Sequence, residues 1–218
     1  MNAEQFQHKT NVSRETLEDL EAWYNLLTRW NKKINLVSSA TLHDFWLRHA
    51  MDSWQLINLL PEGTKTVLDM GAGAGFPGLA LAIGVKNGLK NGLKNELKNK
   101  PEVQITLVES NGKKCNFLRT VIRDLTLPAK AVQARAENLE PQMYDIITAR
   151  AFAPLPKLLD YSLPFWGASS QAIFPKGENW QSEVDAARKT HNFDLTTKDS
   201  QTSEAAKILC ITNLRKGA

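Results

Sequence analysis

The chain has 218 residues, of which 42% are hydrophobic and 23% are charged, so it can bury one core of ordinary domain size. Its first residues have neither the apolar run of a signal peptide nor the Arg-rich pattern of a transit peptide, and no uncharged apolar run is long enough to span a membrane. We therefore expect a soluble, cytoplasmic protein without a membrane partner. Cys115 and Cys210 are its two cysteines, which argues against a disulfide framework or a cysteine metal site.

The positive charge of the chain is concentrated in one segment. The formal net charge is +4, and residues 86–100 carry five lysines against one glutamate, which accounts for the whole excess. Overall basicity is therefore weak evidence for nucleic-acid binding. This segment, KNGLKNGLKNELKNK, repeats every four residues and is rich in glycine and asparagine, so we interpret it as a low-complexity insertion without a packed core.

Helical patterns come first in the chain. Helices are predicted at residues 13–31, 41–47 and 49–60. The first has apolar residues at helical spacing and begins at Ser13, a good N-cap, whereas Pro61 and Gly63 end the last. We assign residues 1–62 to an N-terminal helical extension that packs on a main domain of residues 63–218.

In the main domain, strand and helix patterns alternate. Strands are predicted at residues 64–70, 103–109, 129–134, 144–148, 171–174 and 206–213. Helices are predicted at residues 79–85, 111–124, 156–163 and 179–191. This alternation implies an α/β fold with a doubly wound, mostly parallel sheet.

A glycine-rich turn at residues 69–78, reading DMGAGAGFPG, lies between the first strand and its helix. Glycines let the backbone approach a ligand closely, and the following helix offers unpaired N–H groups, so the turn predicts a ligand site. Gly73, Gly75 and Gly78 match the dinucleotide fingerprint. Glu109 follows Gly73 by 36 residues, or by 21 without the 15-residue insertion, which suits a ribose-binding acid.

A second interpretation of the same turn begins at Asp69. With Gly71, Gly73 and Gly75 it resembles the turn that holds S-adenosylmethionine in class I methyltransferases. Both cofactors need a carboxylate for the ribose, so spacing alone leaves NAD and S-adenosylmethionine open.

Cations near the ends of the N-terminal helices are interleaved with Trp30 and Trp46. These cations are Arg29, Lys32, Lys33, Arg48 and His49. Cations beside aromatic rings can hold phosphates and stack bases, although a solvated helix edge explains them equally well. His49 and Asp52 have the spacing of one helix face. A hydrogen bond between them is a plainer explanation than a metal pair, so we predict no metal site.

Several segments, taken together and in order, identify a resemblance. They are RWNKKINLVS, RHAMDS, DMGAGAGFPG, LVESNGKKCNFLR, QARAEN, ARAFAPL and PKG. The chain resembles, over residues 17–213, the bacterial small-subunit rRNA guanine-N7 methyltransferase family, also called glucose-inhibited division protein B or ribosomal RNA small subunit methyltransferase G. The resemblance implies a class I, Rossmann-like methyltransferase that uses S-adenosyl-L-methionine and modifies a guanine of 16S rRNA at N7. The implied partner is 16S rRNA or the small ribosomal subunit. We also expect the protein to be a monomer. The lysine repeat is not part of the family pattern.

The resemblance also implies roles for individual residues. Cofactor contacts are expected at Asp69, Gly71, Gly73, Phe76, Glu109, Ala136, Glu137 and Arg150. As a separate hypothesis from their charge, we expect RNA contacts at Arg29, Lys32, Arg48, His49 and Lys176. Phe76 could instead be plain core and Glu137 a surface carboxylate, whereas Arg150 follows a strand at the edge where open α/β sheets bind ligands. No catalytic base is assigned, since guanine N7 has a lone pair and no proton.

Other classes of function remain as alternatives. They are an NAD-dependent oxidoreductase, an RNA-binding protein without catalysis, and a methyltransferase that acts on a protein or a metabolite.

Overall fold

The structure is a computed structural model that describes residues 1–88 and 103–217. Its centre is a seven-stranded sheet with the order β3-β2-β1-β4-β5-β7-β6. The strands are β1 (Thr66–Met70), β2 (Gln104–Glu109), β3 (Ala129–Gln133), β4 (Tyr144–Thr148), β5 (Trp166–Lys176), β6 (His191–Asp199) and β7 (Lys207–Lys216). The helices are α1 (Ala3–Thr10), α2 (Arg14–Asn31), α3 (Ser39–His43), α4 (Asp52–Trp54), α5 (Gly78–Lys86), α6 (Gly112–Asp124), α7 (Leu155–Ser162) and α8 (Trp180–Ala187).

The sheet is mostly parallel, which confirms the predicted doubly wound α/β fold. β1 pairs in parallel with β2 on one side and with β4 on the other, whereas β7 runs antiparallel to both β5 and β6. The strand order reverses between β1 and β4. Open α/β sheets bind ligands beyond the carboxyl ends of the strands at such a switch point, so the fold places a crevice after β1 and β4.

Two cores cover the two faces of the sheet. Successive β1 residues point to opposite faces: Val67 belongs to a core with α2, α5 and α6, and Leu68 belongs to a core with α7 and α8. Phe6 and Trp23 of the N-terminal helices lie in the first of these cores. Side chains of residues 1–62, the predicted extension, and of the residues that follow therefore pack in the same core.

Three elements differ from those predicted. α1 was not predicted; a capping box between Asn2 and Gln5 starts it, and Phe6 is its one buried residue. β6 was not predicted because most of its side chains are exposed at the edge of the sheet. In place of the predicted helices at residues 41–47 and 49–60, the structure has α3, a π-helix at Phe45–Met51, α4 and a 3₁₀ turn at Ile57–Leu59.

The start of the lysine repeat is held at the end of α5. Lys86 pairs with Asp19 of α2 at 2.9 Å, and Asn87 donates to the same carboxylate at 2.9 Å. The remaining repeat residues, 89–100, lie outside the described residues. In the described ranges, no helix is long and apolar enough to cross a membrane.

Candidate functional site

The glycine turn bends through three left-handed residues. Gly71, Gly73 and Gly75 have φ values of +70°, +55° and +98°, which favour glycine. A Cβ on Gly71 would stand 2.2 Å from Cδ2 of Phe152, so the turn packs closely on that ring. A Cβ on Gly73 would meet nothing nearer than the Gly71 carbonyl oxygen at 3.8 Å. Gly73 therefore faces open space.

Asp69 lies behind the turn and does not line the cavity in front of it, contrary to its predicted cofactor contact. Its side chain is fully buried, and Oδ2 accepts a hydrogen bond from the Gly78 N–H at 2.8 Å. Burial raises the pKa of this carboxyl to about 7. Asp69 fixes the start of α5, where a Cβ on Gly78 would come within 2.6 Å of its oxygen.

Glu109 joins the turn to the end of β2. Oε2 accepts from the Gly73 N–H at 3.0 Å, and Oε1 accepts from the Asn111 N–H at 2.7 Å. The side chain also lines the cavity beside the turn. A carboxylate offers about four lone-pair positions, so Glu109 keeps acceptor capacity for ligand hydroxyls.

The first cavity has a volume of about 510 Å³ and lies beside the glycine turn. Seven of the eight predicted cofactor residues line it: Gly71, Gly73, Phe76, Glu109, Ala136, Glu137 and Arg150. Lining residues that sequence reasoning missed include Leu36, Val37, Lys114, Arg135, Phe152, Lys157 and Tyr161. Tyr161 also donates to Glu137 at 2.9 Å. The structure thus brings the predicted set together around one crevice.

The residues around the first cavity fit S-adenosylmethionine. Its ribose needs acceptors, which Glu109 can supply, and its close approach to the backbone needs the open face of Gly73. The volume lies within the usual range of ligand pockets, about 300–1,000 Å³.

Leu36 and Val37 line the first cavity, and a side chain of α2 holds their backbone in place. Asn31 Oδ1 accepts from both of their N–H groups, at 2.9 and 3.0 Å, and Asn31 Nδ2 donates to the Val37 carbonyl at 3.0 Å. The predicted RNA residues Arg29 and Lys32 flank this asparagine, are exposed and line neither of the two cavities described here.

Arg150, at the end of β4, is bound by the helical segment before β1. Its guanidinium donates to the Arg48 carbonyl at 2.9 Å, to Asp52 Oδ2 at 3.0 Å and to His49 Nδ1 at 2.8 Å. It also lies 4.6 Å from the centre of the Phe76 ring. Arg150 therefore ties the main sheet to the N-terminal helices at the cavity.

His49 was predicted to contact RNA, but the structure buries its side chain, which is only 7% exposed. The ring stacks on Phe76, with centres 4.5 Å apart. Since arginine can only donate, His49 Nδ1 is the acceptor of the Arg150 bond, and the predicted bond to Asp52 is replaced by this one. Burial, followed by the charges of Arg150 and Arg48, lowers the pKa of His49 to about 3. The ring is therefore neutral at physiological pH.

A second cavity of about 630 Å³ lies on the other side of the loop after β4. The two cavities share residues 150–153 as a wall. Lys176 lines the second cavity, but its ammonium donates to the Ala153 carbonyl and to Glu183 Oε2, both at 2.8 Å, and its side chain is 10% exposed. This paired lysine braces the wall, which differs from the predicted free RNA contact.

Across the parts of the chain that the structure describes, no three histidine, cysteine, aspartate or glutamate side chains are grouped to hold a metal ion.

Comparison with known proteins relates the chain to one family. The family model described as rRNA small subunit methyltransferase G matches residues 16–210. The ribosomal RNA small subunit methyltransferase G of Hyphomonas neptunium is 40% identical over 201 residues, which cover 92% of this chain and 89% of that protein. The protein of the same name from Paramagnetospirillum magneticum is 36% identical over 217 residues, covering 100% of this chain and 98% of the relative.

Solved structures share the fold at low sequence identity. An O-methyltransferase from Bacillus cereus in complex with SAH has a TM-score of 0.57 at 13% identity, covering 90% of this chain and 91% of its own. Fibrillarin from Aeropyrum pernix, with natively bound S-adenosyl-L-methionine, has a TM-score of 0.53 at 14% identity, covering 76% and 75%. These similarities identify the class I methyltransferase fold.

Proposed function

Because the chain belongs to the rRNA small subunit methyltransferase G family, we propose that it transfers a methyl group from S-adenosylmethionine to N7 of a guanine in 16S rRNA. Family membership makes the chain an S-adenosylmethionine-dependent rRNA methyltransferase. It also sets aside the NAD-dependent oxidoreductase, the RNA-binding protein without catalysis and the methyltransferase for a non-RNA substrate. The base and its atom are the proposed part.

The observation that carries the proposal is the wall shared by the two cavities. Residues 150–153 line the cavity at the glycine turn on one side and a second cavity on the other. Methyl transfer needs donor and acceptor in direct contact, and the shared residues 150–153 make the two cavities neighbours. The loop after β4 lies at the switch point where this fold binds ligands.

Methylation at N7 requires that the methyl donor and the guanine are held in line. S-adenosylmethionine supplies an electrophilic methyl group on a sulfonium. The N7 lone pair forms the new N–C bond, the electron pair of the broken S–C bond stays on sulfur, and the positive charge passes from sulfur to the purine. No proton moves, so no side chain has to act as a base. Holding two reactants in line can supply effective molarities on the order of 10⁵ to 10⁸ M.

Each group of residues then has a proposed task. Gly71, Gly73 and Glu109 hold the cofactor, with Phe76, Ala136 and Glu137 as further contacts. Arg150 sets the position of the wall between cofactor and RNA. Arg29, Lys32 and Arg48 attract the RNA backbone as exposed cations.

The test of this function is mapping of N7-methylguanine in 16S rRNA from cells with and without the protein. We expect one site to lose its methyl group when the protein is absent and to regain it when the purified protein is added to unmethylated small subunits. An unchanged map would refute the proposal. Titration with S-adenosylmethionine and with NAD should give binding of the first alone.

We also propose that the protein acts as a monomer in the cytoplasm, where its ribosomal substrate is assembled. Among the described residues, the large apolar side chains with substantial exposure are Met1 and Met143, which are too few to form an extended apolar patch. Light scattering coupled to size-exclusion chromatography should give the mass of one chain, and a dimer mass would contradict this.

A further inference from the structure

We propose that the second cavity is the acceptor-nucleotide site: it takes the target guanosine, everted from the RNA, with the N7 edge of the base toward residues 150–153 and its phosphate toward Arg48. The inference rests on the proposed function and adds the place, the orientation and the anchoring cation.

The second cavity adjoins the cofactor cavity. The two cavities share Arg150, Ala151, Phe152 and Ala153, so a base seated in the second can turn its reacting edge toward the cofactor. The ring of Phe152 lies in this wall and packs on Gly71 of the glycine turn. An aromatic ring at such a place can stack a base.

The size and lining of the second cavity suit a nucleotide. Its volume of about 630 Å³ is in the range of ligand pockets. Apolar residues, among them Pro154, Pro175 and Ile208, line it together with charged and hydroxyl side chains. A base inside a folded RNA presents N7 only partly, and removing the base from its stack costs free energy, so a lined recess is needed to receive it.

Among the described residues, Arg48 is the cation lining this cavity that has no ion-pair partner, so it can bind a phosphate. Lys176 is paired with Glu183, Lys207 with Asp199, and Arg150 with Asp52. In contrast, no ion pair or side-chain hydrogen bond within residues 1–88 and 103–217 engages the guanidinium of Arg48, and this residue is exposed. Free arginine forks match phosphate oxygens in geometry and charge.

The outer rim of the second cavity is fixed to the same helical segment that holds Arg150. Thr202, in the turn between β6 and β7, donates to Asp52 Oδ1 at 2.9 Å, while Asp52 Oδ2 receives Arg150 at 3.0 Å. The Gln201 N–H donates to Gln55 Oε1 at 2.8 Å. The rim and the wall are therefore held at a set separation by Asp52, which makes the cavity a preformed recess.

The first test fills the recess from its rim. Ser203 is exposed, lines the second cavity but not the first, and makes no side-chain hydrogen bond within the described residues. Ser203→Trp should lower the rate of methylation of unmethylated small subunits at least tenfold, while the Kd for S-adenosylmethionine stays within twofold of the parent value. Ala205→Trp is the matched control, because Ala205 is exposed in the same turn and lines neither cavity. This control should keep the parent rate.

The second test removes the anchoring cation. Arg48→Ala should raise KM for small subunits and reduce the salt slope of their binding by about one, with little change in kcat or in cofactor affinity. Arg123→Ala is its control, since Arg123 is an exposed arginine at the end of α6 that lines neither cavity.

The outcomes separate this inference from the proposed function. If Ser203→Trp methylated at the parent rate, or if Arg48→Ala bound small subunits with the parent salt slope, the second cavity would not be the nucleotide site, although N7 methylation could still be observed. If the parent protein put its methyl group elsewhere than N7, the proposed function would fail. Binding of small subunits by the two variants would still test the cavity.

Discussion

Replacing Arg150 tests the link between the sheet and the N-terminal helices. Arg150→Ala removes three hydrogen bonds, to the carbonyl of Arg48, to Asp52 and to His49, together with the contact over the Phe76 ring. The side chains of the ion pair are 17% and 19% exposed, so the pair lies between the buried and the surface cases.

The expected loss follows from that intermediate exposure. Breaking a buried pair costs about 3–5 kcal/mol, whereas a surface pair contributes about 0–1 kcal/mol. We therefore expect Arg150→Ala to lower the free energy of unfolding by about 2–3 kcal/mol. For a chain of this size, that corresponds to a fall in Tm of about 4–12 °C. The rate of methylation should fall at least tenfold, because Arg150 is part of the wall between the cavities.

Thermal unfolding at fixed pH and salt measures the stability effect, with Arg123→Ala as the control. The Arg123–Asp124 pair has side chains that are 75% and 39% exposed, so its loss should lower Tm by no more than about 2–4 °C. A double-mutant cycle with Asp52→Ala should give a coupling energy of about 1–2 kcal/mol. Equal Tm values for the two arginine variants would refute the structural role. A parent rate of methylation with normal cofactor affinity would refute the functional one.

Three further predictions concern the first cavity and its support. Gly73→Ala should raise the Kd for S-adenosylmethionine at least tenfold in calorimetry, with only a small fall in Tm. Gly71→Ala should lower both the cofactor affinity and Tm, because its methyl group would lie 2.2 Å from the Phe152 ring. Equal effects of the two substitutions would contradict this distinction. Glu109→Gln should weaken cofactor binding at least tenfold, since one amide oxygen cannot accept both backbone N–H groups and the ribose, and an unchanged Kd would remove its role. His49 is neutral when folded but takes up a proton below its ordinary pKa of 6.5 when unfolded, so its stability contribution is present above pH 6.5 and is lost as pH falls toward 3. Urea unfolding of His49→Gln should therefore show a smaller loss of stability between pH 7.5 and 5 than the parent, and an equal loss would contradict the buried neutral state.

The sheet and the ligand crevice were predictable because their signals are local. β1, β2 and β4 are short apolar runs that are buried on both faces, and such runs are typical of parallel strands. The glycine turn follows β1 directly, so its place in the fold follows from its place in the chain. β6 gave no such signal, since an edge strand buries few of its side chains. α1 was also missed because it buries few side chains, with Phe6 as its one buried residue.

The partners of the cations could not be predicted. From the sequence, Arg48, His49 and Lys176 had the same predicted role as cations that contact RNA. Among the described residues, the structure leaves the Arg48 side chain without an ion pair, buries His49 and pairs Lys176 with Glu183. The decisive contacts join residues far apart in the chain: the Arg150–His49 bond spans 101 residues. Short-range periodicity contains no information on such contacts, so charge in a sequence indicates candidates and only the fold selects among them.

The same contacts make the N-terminal helices part of the site. Arg150 is contributed by the sheet, but all three acceptors of its guanidinium come from residues 48–52. Asp52 then fixes the turn between β6 and β7, which forms the rim of the second cavity. A sheet with its glycine turn can hold a cofactor, and the helical segment holds one rim of the proposed acceptor site through Asp52. The two cavities thus share Arg150, which the helical segment holds in place.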